Sequence, residues 1–327
     1  MNDAPGRAST VVALTGATGF IGNALRERLL RGGHAVRALY RPRRGRVMPQ
    51  APGLTWVAGD LGDRDALAAL VEGAKVVVHC AGNVRGARRE DFDLVNEKGV
   101  ADIAQAARGT AGCERFLLIS SLAAREPQLS DYARSKRLGE EALAAHAGHL
   151  AWAAIRPPAV YGPGDREMLP LFEGMARGLA PIPGDGRGRF SMIHVADLAS
   201  AVLAWVDNDG VSGAIHELDD GHARGYDWDT VLATAARVLR DGAPIRRLRI
   251  PVACLRVVAG VNLLAARLFG YAPMLTPGKV REITHADWTC DNRTFTEATG
   301  WHPAIGFAEG LAQTLGKTPA ALNGVPQ

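Results

Sequence analysis

Cysteine is scarce in this sequence, and its placement argues against two kinds of site. The 327 residues include four cysteines, Cys80, Cys113, Cys254 and Cys290, which are far apart and form no C-x-x-C pair. Zinc sites and disulfide frameworks both depend on closely spaced or paired cysteines. We therefore expect no metal site and no disulfide framework, and a reducing compartment fits this cysteine usage.

Long hydrophobic runs are also missing. Residues 1–10 are polar and lack the apolar core of a signal peptide. The most apolar stretch, residues 257–266, lies between Arg256 and Arg267 and is about half as long as the roughly 20 residues that cross a bilayer. The sequence therefore predicts a cytoplasmic protein with no transmembrane span.

Charge is balanced rather than extreme. The net charge is +4, with 47% hydrophobic and 22% charged residues, as in ordinary soluble proteins. Nucleic-acid binding would require a basic stripe with aromatic residues beside it, and the one arginine cluster, at residues 37–46, has another explanation given below. We expect no nucleic-acid partner. The length allows roughly two domains, and there is no internal repeat.

A glycine-rich turn, TGATGFIG at residues 15–22, stands between a strand pattern and a helix pattern. The apolar run 11–14 indicates a buried strand, and apolar residues at helical spacing follow over residues 20–30. The start of a helix attracts phosphate through its free N–H groups and its dipole. Gly16 permits the tight turn, Gly19 the approach of the phosphates, and Gly22 the close packing of helix on strand. An ordinary tight turn is the alternative.

The first half of the chain alternates strand and helix patterns. Further strands are predicted at 34–39, 54–58, 75–80, 115–119 and 150–156, with helices between them at 64–72, 92–108 and 130–145. This order predicts an α/β fold of the Rossmann type, with a doubly wound parallel sheet. Beyond Arg156 a turn-rich segment leaves the sheet, and a second, smaller mixed α/β substrate domain follows.

The predicted domain boundaries follow from these patterns. Residues 1–165 form the dinucleotide-binding domain, and residues 190–212 pack back onto it. Residues 166–189 and 213–316 form the substrate domain. Residues 317–327 are expected to be a frayed tail.

The end of the second strand indicates which dinucleotide is bound. NAD sites place a carboxylate about 20 residues past the glycines, whereas NADP sites place an arginine there for the 2′-phosphate. No Asp or Glu occurs from Arg28 to Gly59, and Arg41 follows the strand. Its planar guanidinium matches two phosphate oxygens. NADP is therefore favoured over NAD, and a solvated basic loop is the alternative.

Tyr132 and Lys136 are four residues apart on a predicted helix, so both side chains can reach the same space. A nearby ammonium, together with a positive nicotinamide ring, should lower the tyrosine pKa and make it a general acid or base. Ser121, eleven residues earlier at a strand end, can hydrogen-bond a substrate carbonyl. Of the adjacent pair Ser120 and Ser121, Ser121 is the chosen candidate. The alternative reading of the tyrosine–lysine pair is an amphipathic surface helix.

Taken together, these motifs resemble the extended short-chain dehydrogenase/reductase family, which includes the NAD-dependent epimerase/dehydratases. The resemblance implies that Ser121 orients the substrate oxygen, Tyr132 exchanges its proton, and Lys136 holds the nicotinamide ribose. Asn96 is similar to an asparagine that supports this lysine through water. The cofactor positions implied are Gly16, Thr18, Gly19, Phe20, Ile21 and Gly22 in the turn, Arg41, Asp60 and Leu61 by the adenosine, Ala81 and Gly82 beside the cofactor, Lys136, and Pro157 to Val160 by the nicotinamide.

Other features bear on the substrate. Family members that act on nucleotide sugars usually have a longer loop between the serine and the tyrosine, and Arg189 lies one residue from the position of their phosphate-binding arginine. The C-terminal part instead resembles the 3β-hydroxysteroid dehydrogenase-like branch, in which an apolar helix roofs the pocket. The apolar helix ending near Phe269 is either buried core or an interfacial helix. In the interfacial case Leu255, Val258, Leu263 and Leu264 would enter the membrane surface.

These features predict an NAD(P)-dependent oxidoreductase that transfers hydride between the cofactor and a secondary alcohol or ketone in an apolar substrate. The alternatives are a nucleotide-sugar epimerase/dehydratase and a non-catalytic NADP-binding subunit. The expected partner is a small-molecule substrate, and the family resemblance favours a homodimer. His194 and His216 are expected to be structural.

Overall fold

The computed structural model describes residues 9–45, 47–208 and 212–317. The predicted tail from residue 318 onward lies outside the described residues. Strands and helices alternate through the first half of the chain, in the order β1 Val11–Thr15, α1 Phe20–Arg31, β2 Ala35–Tyr40, β3 Leu54–Ala58, α2 Arg64–Val71, β4 Val76–His79, α3 Arg89–Asp93, α4 Gly99–Arg108, β5 Arg115–Ile119, α5 Asp131–His146 and β6 Ala151–Arg156.

The second half is mixed, with short strands between helices. Its elements are β7 Ala159–Tyr161, α6 Leu169–Ala176, β8 Leu179–Pro183, β9 Arg189–Phe190, β10 Met192–His194, α7 Val195–Val206, β11 Ala214–Glu217, α8 Trp228–Arg240, β12 Arg246–Ile250, α9 Val252–Phe269, α10 Pro277–Ile283, β13 Asp287–Trp288, α11 Arg293–Thr299 and α12 Phe307–Thr314.

A seven-stranded parallel sheet forms the centre, with the order β11-β6-β5-β4-β1-β2-β3. The chain moves outward from β1 to β3 and then returns to β4 on the other side of β1. The predicted Rossmann-type doubly wound sheet is confirmed. The change of direction between β1 and β4 opens a crevice at the carboxyl ends of the strands, which is where such sheets bind ligands.

Helices cover both faces of this sheet, because the apolar side chains of its inner strands point to both sides. One buried cluster joins α1 and α7 to the sheet through residues such as Leu25, Val202 and Trp205. The other joins α2, α4 and α5 through residues such as Leu67, Ile103 and Leu143. The crevice is therefore rigidly supported from both sides.

The segment after β4 differs from its prediction as one helix over residues 92–108. Leu94–Lys98 forms a π-helical turn between α3 and α4. Such turns insert an extra residue and often occur at functional sites. This one holds the buried side chain of Asn96.

The smaller part contains three two-stranded parallel pairs, β10 with β7, β12 with β8 and β13 with β9. Its own buried cluster includes Phe172, Tyr226 and Phe307. The division from the first domain is less sharp than the predicted boundary at residues 212–213. β11 joins the central sheet, and Phe295 and Trp301 pack into the core beneath it.

The apolar helix α9 lies largely on the surface. Among its 18 residues only Ala259 and Ala266 are buried, although the helix is long and apolar enough to cross a membrane by length and composition alone. It is longer than the apolar run 257–266 because Arg256 and Arg267 are themselves helical. The buried-core alternative for this helix is therefore wrong.

Candidate active site

The glycine turn is built for close backbone approach. A Cβ atom on Gly16, whose φ is +71°, would lie 2.6 Å from the Ala81 nitrogen, and one on Gly22 would lie 2.0 Å from the Gly16 oxygen. Gly19 caps α1 without any side-chain hydrogen bond, and the first turn of α1 has no acidic residue. Its N–H groups can therefore receive a pyrophosphate, and these residues fit a dinucleotide. Thr18, Phe20 and Ile21 lie in the same turn, half-buried.

The ends of β2 and β3 are neighbours in the sheet and bring Arg41 and Asp60 to the same edge. Arg41 is exposed and makes no hydrogen bond or ion pair with any other described residue, so its guanidinium is available to a phosphate. Asp60 accepts a hydrogen bond of 2.8 Å from the Gly62 nitrogen, which shapes the turn after β3. Leu61 packs closely against Gly99 of α4.

The end of β4 is tied to the end of β1. The Thr15 hydroxyl lies 3.0 Å from Nδ1 of His79 and accepts a hydrogen bond of 3.1 Å from the Ala81 nitrogen. Burial lowers the His79 pKa to about 3, so this histidine is neutral. Ala81 and Gly82 are thereby held beside the glycine turn.

Lys136 reaches from α5 to the same edge of the sheet. Its Nζ donates a hydrogen bond of 2.8 Å to the Ile119 carbonyl at the end of β5, and a Cβ atom on Gly82 would lie 3.8 Å from it. Burial lowers its pKa to about 8. A buried ammonium with spare donors at this position can bind the ribose hydroxyls of a cofactor.

Asn96 fixes the segments that surround Lys136. Its Oδ1 accepts a hydrogen bond of 2.7 Å from the Asn83 nitrogen, and its Nδ2 donates to the Ser135 hydroxyl at 2.9 Å. α5 approaches so closely that a Cβ atom on Gly139 would lie 2.2 Å from the backbone carbonyl oxygen of Asn96. The asparagine therefore braces the loop after β4 against the helix that carries the lysine.

The two adjacent serines have different surroundings. Ser120 is buried and donates a hydrogen bond of 2.5 Å to Glu140, whose carboxylate also receives two hydrogen bonds from Arg156, at 2.8 and 2.6 Å. Ser121 lines the large cavity described below and accepts a hydrogen bond of 3.2 Å from the Ala123 nitrogen. Ser120 is thus engaged in the fold, whereas Ser121 faces the space for a substrate.

Tyr132 lies in the first turn of α5 and lines the same cavity as Ser121. Burial raises its pKa, and a hydrogen bond with Ser121 and the charge of Lys279 lower it by less. Without the nicotinamide ring that the expectation of a lowered pKa included, the tyrosine pKa is therefore raised. Desolvation of the phenolate outweighs the nearby donors and cations.

A second lysine, Lys279 of α10, was missed by the sequence reasoning. Its Nζ lies 5.9 Å from the centre of the Tyr132 ring and 2.8 Å from Oε2 of Glu282. Glu282 also accepts a hydrogen bond from Ser130, which caps α5 through the Ala133 nitrogen at 2.9 Å. The sequence signals only the helix start, through Thr276 and Pro277. Nothing in it places α10 against α5.

A cavity of about 1220 Å³ extends from Ser121 and Tyr132 into the smaller part of the protein. Pro157 and Val160 line it, whereas the glycine turn, Arg41 and Asp60 lie outside it. It exceeds the roughly 300–1000 Å³ typical of small-molecule pockets. Its walls are largely apolar, with side chains such as Phe92, Met168, Leu171, Phe172, Phe190, Trp228, Leu263, Met274, Leu275, Ile283 and Trp288.

Arg189 lines this cavity but is engaged by the protein itself. Its guanidinium donates to the Arg224 carbonyl at 3.0 Å and the Gly225 carbonyl at 2.9 Å, and it lies 3.2 Å from Asp227. Three of its five N–H donors are thus engaged within the protein, and two remain for a substrate phosphate. As expected, the two histidines have structural contacts: His194 caps α7, and His216 lies 3.1 Å from the Thr294 hydroxyl.

The site combines a glycine turn that can receive phosphate, Lys136 at the edge of the sheet, and Ser121 and Tyr132 in the wall of a cavity. This combination defines a nicotinamide-dinucleotide-dependent enzyme of the extended short-chain dehydrogenase/reductase type. The model of the NAD dependent epimerase/dehydratase family matches residues 12–216. The chain belongs to this family.

Individual relatives agree with this assignment. The chain is 39% identical over 308 residues to a ceramide reductase of Caulobacter vibrioides, and the aligned region covers 93% of each chain. It is 29% identical over 212 residues to a 2-alkyl-3-oxoalkanoate reductase of Stenotrophomonas maltophilia, covering 58% of this chain and 63% of the relative. Among solved structures, MoeE5 in complex with UDP-glucuronic acid and NAD has a TM-score of 0.72 at 23% identity, covering 96% of this chain and all of that one. The last likeness concerns the fold alone.

Proposed function

We propose that this protein is an NADPH-dependent reductase that converts a ketone on a long-chain lipid, of the ceramide class, to the secondary alcohol. The observation that carries the proposal is the large apolar cavity with the Ser121 and Tyr132 hydroxyls in its wall. Its volume suits a lipid chain better than a compact polar metabolite. The similarity to a ceramide reductase along nearly the full length of both chains supports this substrate class.

The chemistry asked of the side chains is proton transfer and orientation. A bound nicotinamide supplies the hydride to the carbonyl carbon. The Ser121 hydroxyl hydrogen-bonds the carbonyl oxygen, and the Tyr132 hydroxyl gives that oxygen its proton. Burial raises the Tyr132 pKa, so the phenol keeps its proton at neutral pH and is ready to act as the acid in reduction. Water restores the proton after product release.

NADPH is proposed over NADH because of the charge at the end of β2. Arg41 is exposed and free of protein partners within the described residues, and no carboxylate follows β2 to accept hydrogen bonds from an unmodified ribose. A guanidinium in this position favours a 2′-phosphate.

Epimerisation of a nucleotide sugar is the second candidate, favoured by the family and by the fold of MoeE5. Such a substrate carries a diphosphate, and Arg189 lies one residue from the position of the arginine that binds such phosphates in the family. Its hydrogen bonds to Arg224, Gly225 and Asp227 use three of its five N–H donors and hold the guanidinium against the protein. The lipid ketone accounts better for the largely apolar walls of the cavity, in which Arg256 and Arg267 are further cations.

The test is to follow NADPH absorbance with a ketone analogue of ceramide, a short-chain ketone and a UDP-sugar. We expect stoichiometric NADPH consumption with the lipid ketone and none with the UDP-sugar. Tyr132→Phe should bind NADPH normally but reduce the ketone at least about 100-fold more slowly, because general acid catalysis is lost. Tyr271→Phe, a matched change outside the cavity, should leave the rate unchanged. Conversion of the UDP-sugar without net cofactor consumption would instead establish the epimerase.

A further inference from the structure

The helix α9 presents an apolar face with no described protein partner. Six of its side chains are 56–80% exposed, and their spacing places them on one side of the helix. We call these residues the α9 face: Val257, Val258, Val261, Leu264, Leu268 and Phe269. Exposed apolar side chains clustered on one side of a helix are typical of a contact site.

The sequence from the strand before α9 to the helix after it is rich in cations. Residues 242–281 contain seven cationic side chains and no aspartate or glutamate. Basic residues around an apolar helix face are typical of binding to anionic lipid surfaces, where the cations meet phosphate groups. The cations are Arg246, Arg247, Arg249, Arg256, Arg267, Lys279 and Arg281. Arg247 pairs with Asp229 and Lys279 with Glu282, and Arg256 and Arg267 line the substrate cavity, whereas Arg246 and Arg249 are exposed.

The connections of α9 are incompatible with a crossing of the bilayer. The strand before it, β12, pairs with β8 through residues 246–250. The helix after it, α10, packs against α9 and is joined to α5 through the hydrogen bond between Glu282 and Ser130. Both ends of α9 are therefore held on the same folded body. The helix can lie along a membrane surface but cannot pass through it without breaking these contacts.

The opposite side of α9 belongs to the substrate cavity. Val252, Arg256, Leu263 and Arg267 line the cavity from this helix, and Arg267 also donates a hydrogen bond of 3.3 Å to the Ala87 carbonyl beside it. One helix thus separates the apolar cavity from the outer surface. A lipid that leaves a bilayer at α9 is therefore separated from the cavity by the width of one helix.

We propose that the α9 face docks on the surface of an anionic phospholipid bilayer, with its apolar side chains between the headgroups and the exposed arginines of the preceding strand, Arg246 and Arg249, on lipid phosphates. This docking goes beyond the reductase function, since it requires no turnover. It also gives a water-insoluble substrate a short route into the cavity.

The experiment is co-sedimentation of the full chain with two kinds of vesicle. One kind contains phosphatidylcholine alone, and in the other about one lipid in three is the anionic phosphatidylglycerol. We expect at least about tenfold tighter binding to the anionic vesicles, and a loss of most of this difference in high salt. Leu264→Ser/Leu268→Ser should weaken binding at least about tenfold. Val47→Ser/Ile215→Ser, which changes exposed apolar residues elsewhere, is the matched control and should bind like the wild type.

Two results would overturn the proposal. One is equal vesicle binding by the wild type and Leu264→Ser/Leu268→Ser. The other is a wild-type dimer that this double substitution disperses, with no vesicle binding by either form, because a second copy of the chain would then cover the α9 face. Reduction of a detergent-solubilised lipid ketone by the double variant, measured in parallel, separates failure of docking from failure of the reductase function.

Discussion

The ammonium of Lys279 lies 5.9 Å from the centre of the Tyr132 ring, although the two residues are far apart in the sequence. Lys136 is on the same helix as the tyrosine, whereas Lys279 is on α10. The Tyr132 pKa responds to the Lys279 charge, which favours the phenolate against the opposing effect of burial. The C-terminal part of the chain therefore contributes directly to the electrostatics of the tyrosine.

Replacing Lys279 by Met should raise the pKa of Tyr132 further. Alcohol oxidation needs the phenolate as base, so the alkaline rise in its rate should move up by about one pH unit. Lys279→Arg should restore the wild-type profile, because it keeps the charge. The measurement is the pH dependence of kcat for oxidation of the lipid alcohol with NADP. An unshifted profile in Lys279→Met would mean that this charge does not act on the reacting phenol.

Ser130 joins the start of α5 to Glu282 and, through it, to Lys279. Ser130→Ala removes the cap on the Ala133 nitrogen and also leaves the buried Glu282 carboxylate without one of its donors. We expect a loss of about 2–3 kcal/mol in the free energy of unfolding, measured by denaturant titration.

Thr276→Ala is the control for Ser130, because it removes a cap from α10 without exposing a buried carboxylate. It should cost only about 1 kcal/mol. Combining Ser130→Ala with Glu282→Gln tests the coupling of the two side chains. If the two effects simply add, Glu282 is not the source of the extra loss.

The sheet could be predicted from sequence because its signals are local. Val76–His79 is fully buried and belongs to a largely apolar run of sequence. The glycine turn requires glycine at Gly16 and Gly22, because a Cβ atom there would collide with the backbone of the turn itself or of its neighbour. By contrast, β8 contains Pro181 and Pro183, and β12 contains three arginines, so neither has a strand pattern. They pair because the folded chain brings them together.

The parts of the site that the sequence did not predict depend on contacts between distant segments. The π-helical turn at Asn96 packs against α5 at Gly139, which lies more than forty positions further along the chain. In the protein without cofactor, burial raises the Tyr132 pKa, and the spacing on a helix shows the neighbouring lysine but not this burial of the phenol. Long-range packing decides both features.

Lys136 should reduce the stability of the protein without cofactor. Burial lowers its pKa from 10.5 to about 8, so at pH 7 the folded protein carries a charged ammonium at a cost in free energy. Lys136→Met removes that cost but also the hydrogen bond to Ile119, so we expect a net gain of about 1–3 kcal/mol at pH 7.

The gain in Lys136→Met should depend on pH in a defined direction. As the pH rises from about 8 towards 10.5, the folded wild type loses this proton before the unfolded chain does, and the cost fades. Denaturant titrations at pH 7 and pH 10 should therefore show a larger advantage at pH 7. Lys75→Met, at an exposed lysine, should show neither the gain nor its pH dependence. An equal advantage at both pH values would contradict a lowered Lys136 pKa.

Arg41 should decide between the two nicotinamide dinucleotides. Arg41→Ala removes the charge-assisted hydrogen bonds to the 2′-phosphate of NADPH. Because each such bond contributes about 1.5–3 kcal/mol, the KM for NADPH should rise about 10- to 100-fold. The KM for NADH should change little, since NADH lacks that phosphate. Arg43→Ala, two residues along the same exposed loop, is the control and should have a smaller effect on NADPH. Similar small changes in both variants with both dinucleotides would identify the loop as a solvated basic surface with no role in cofactor choice.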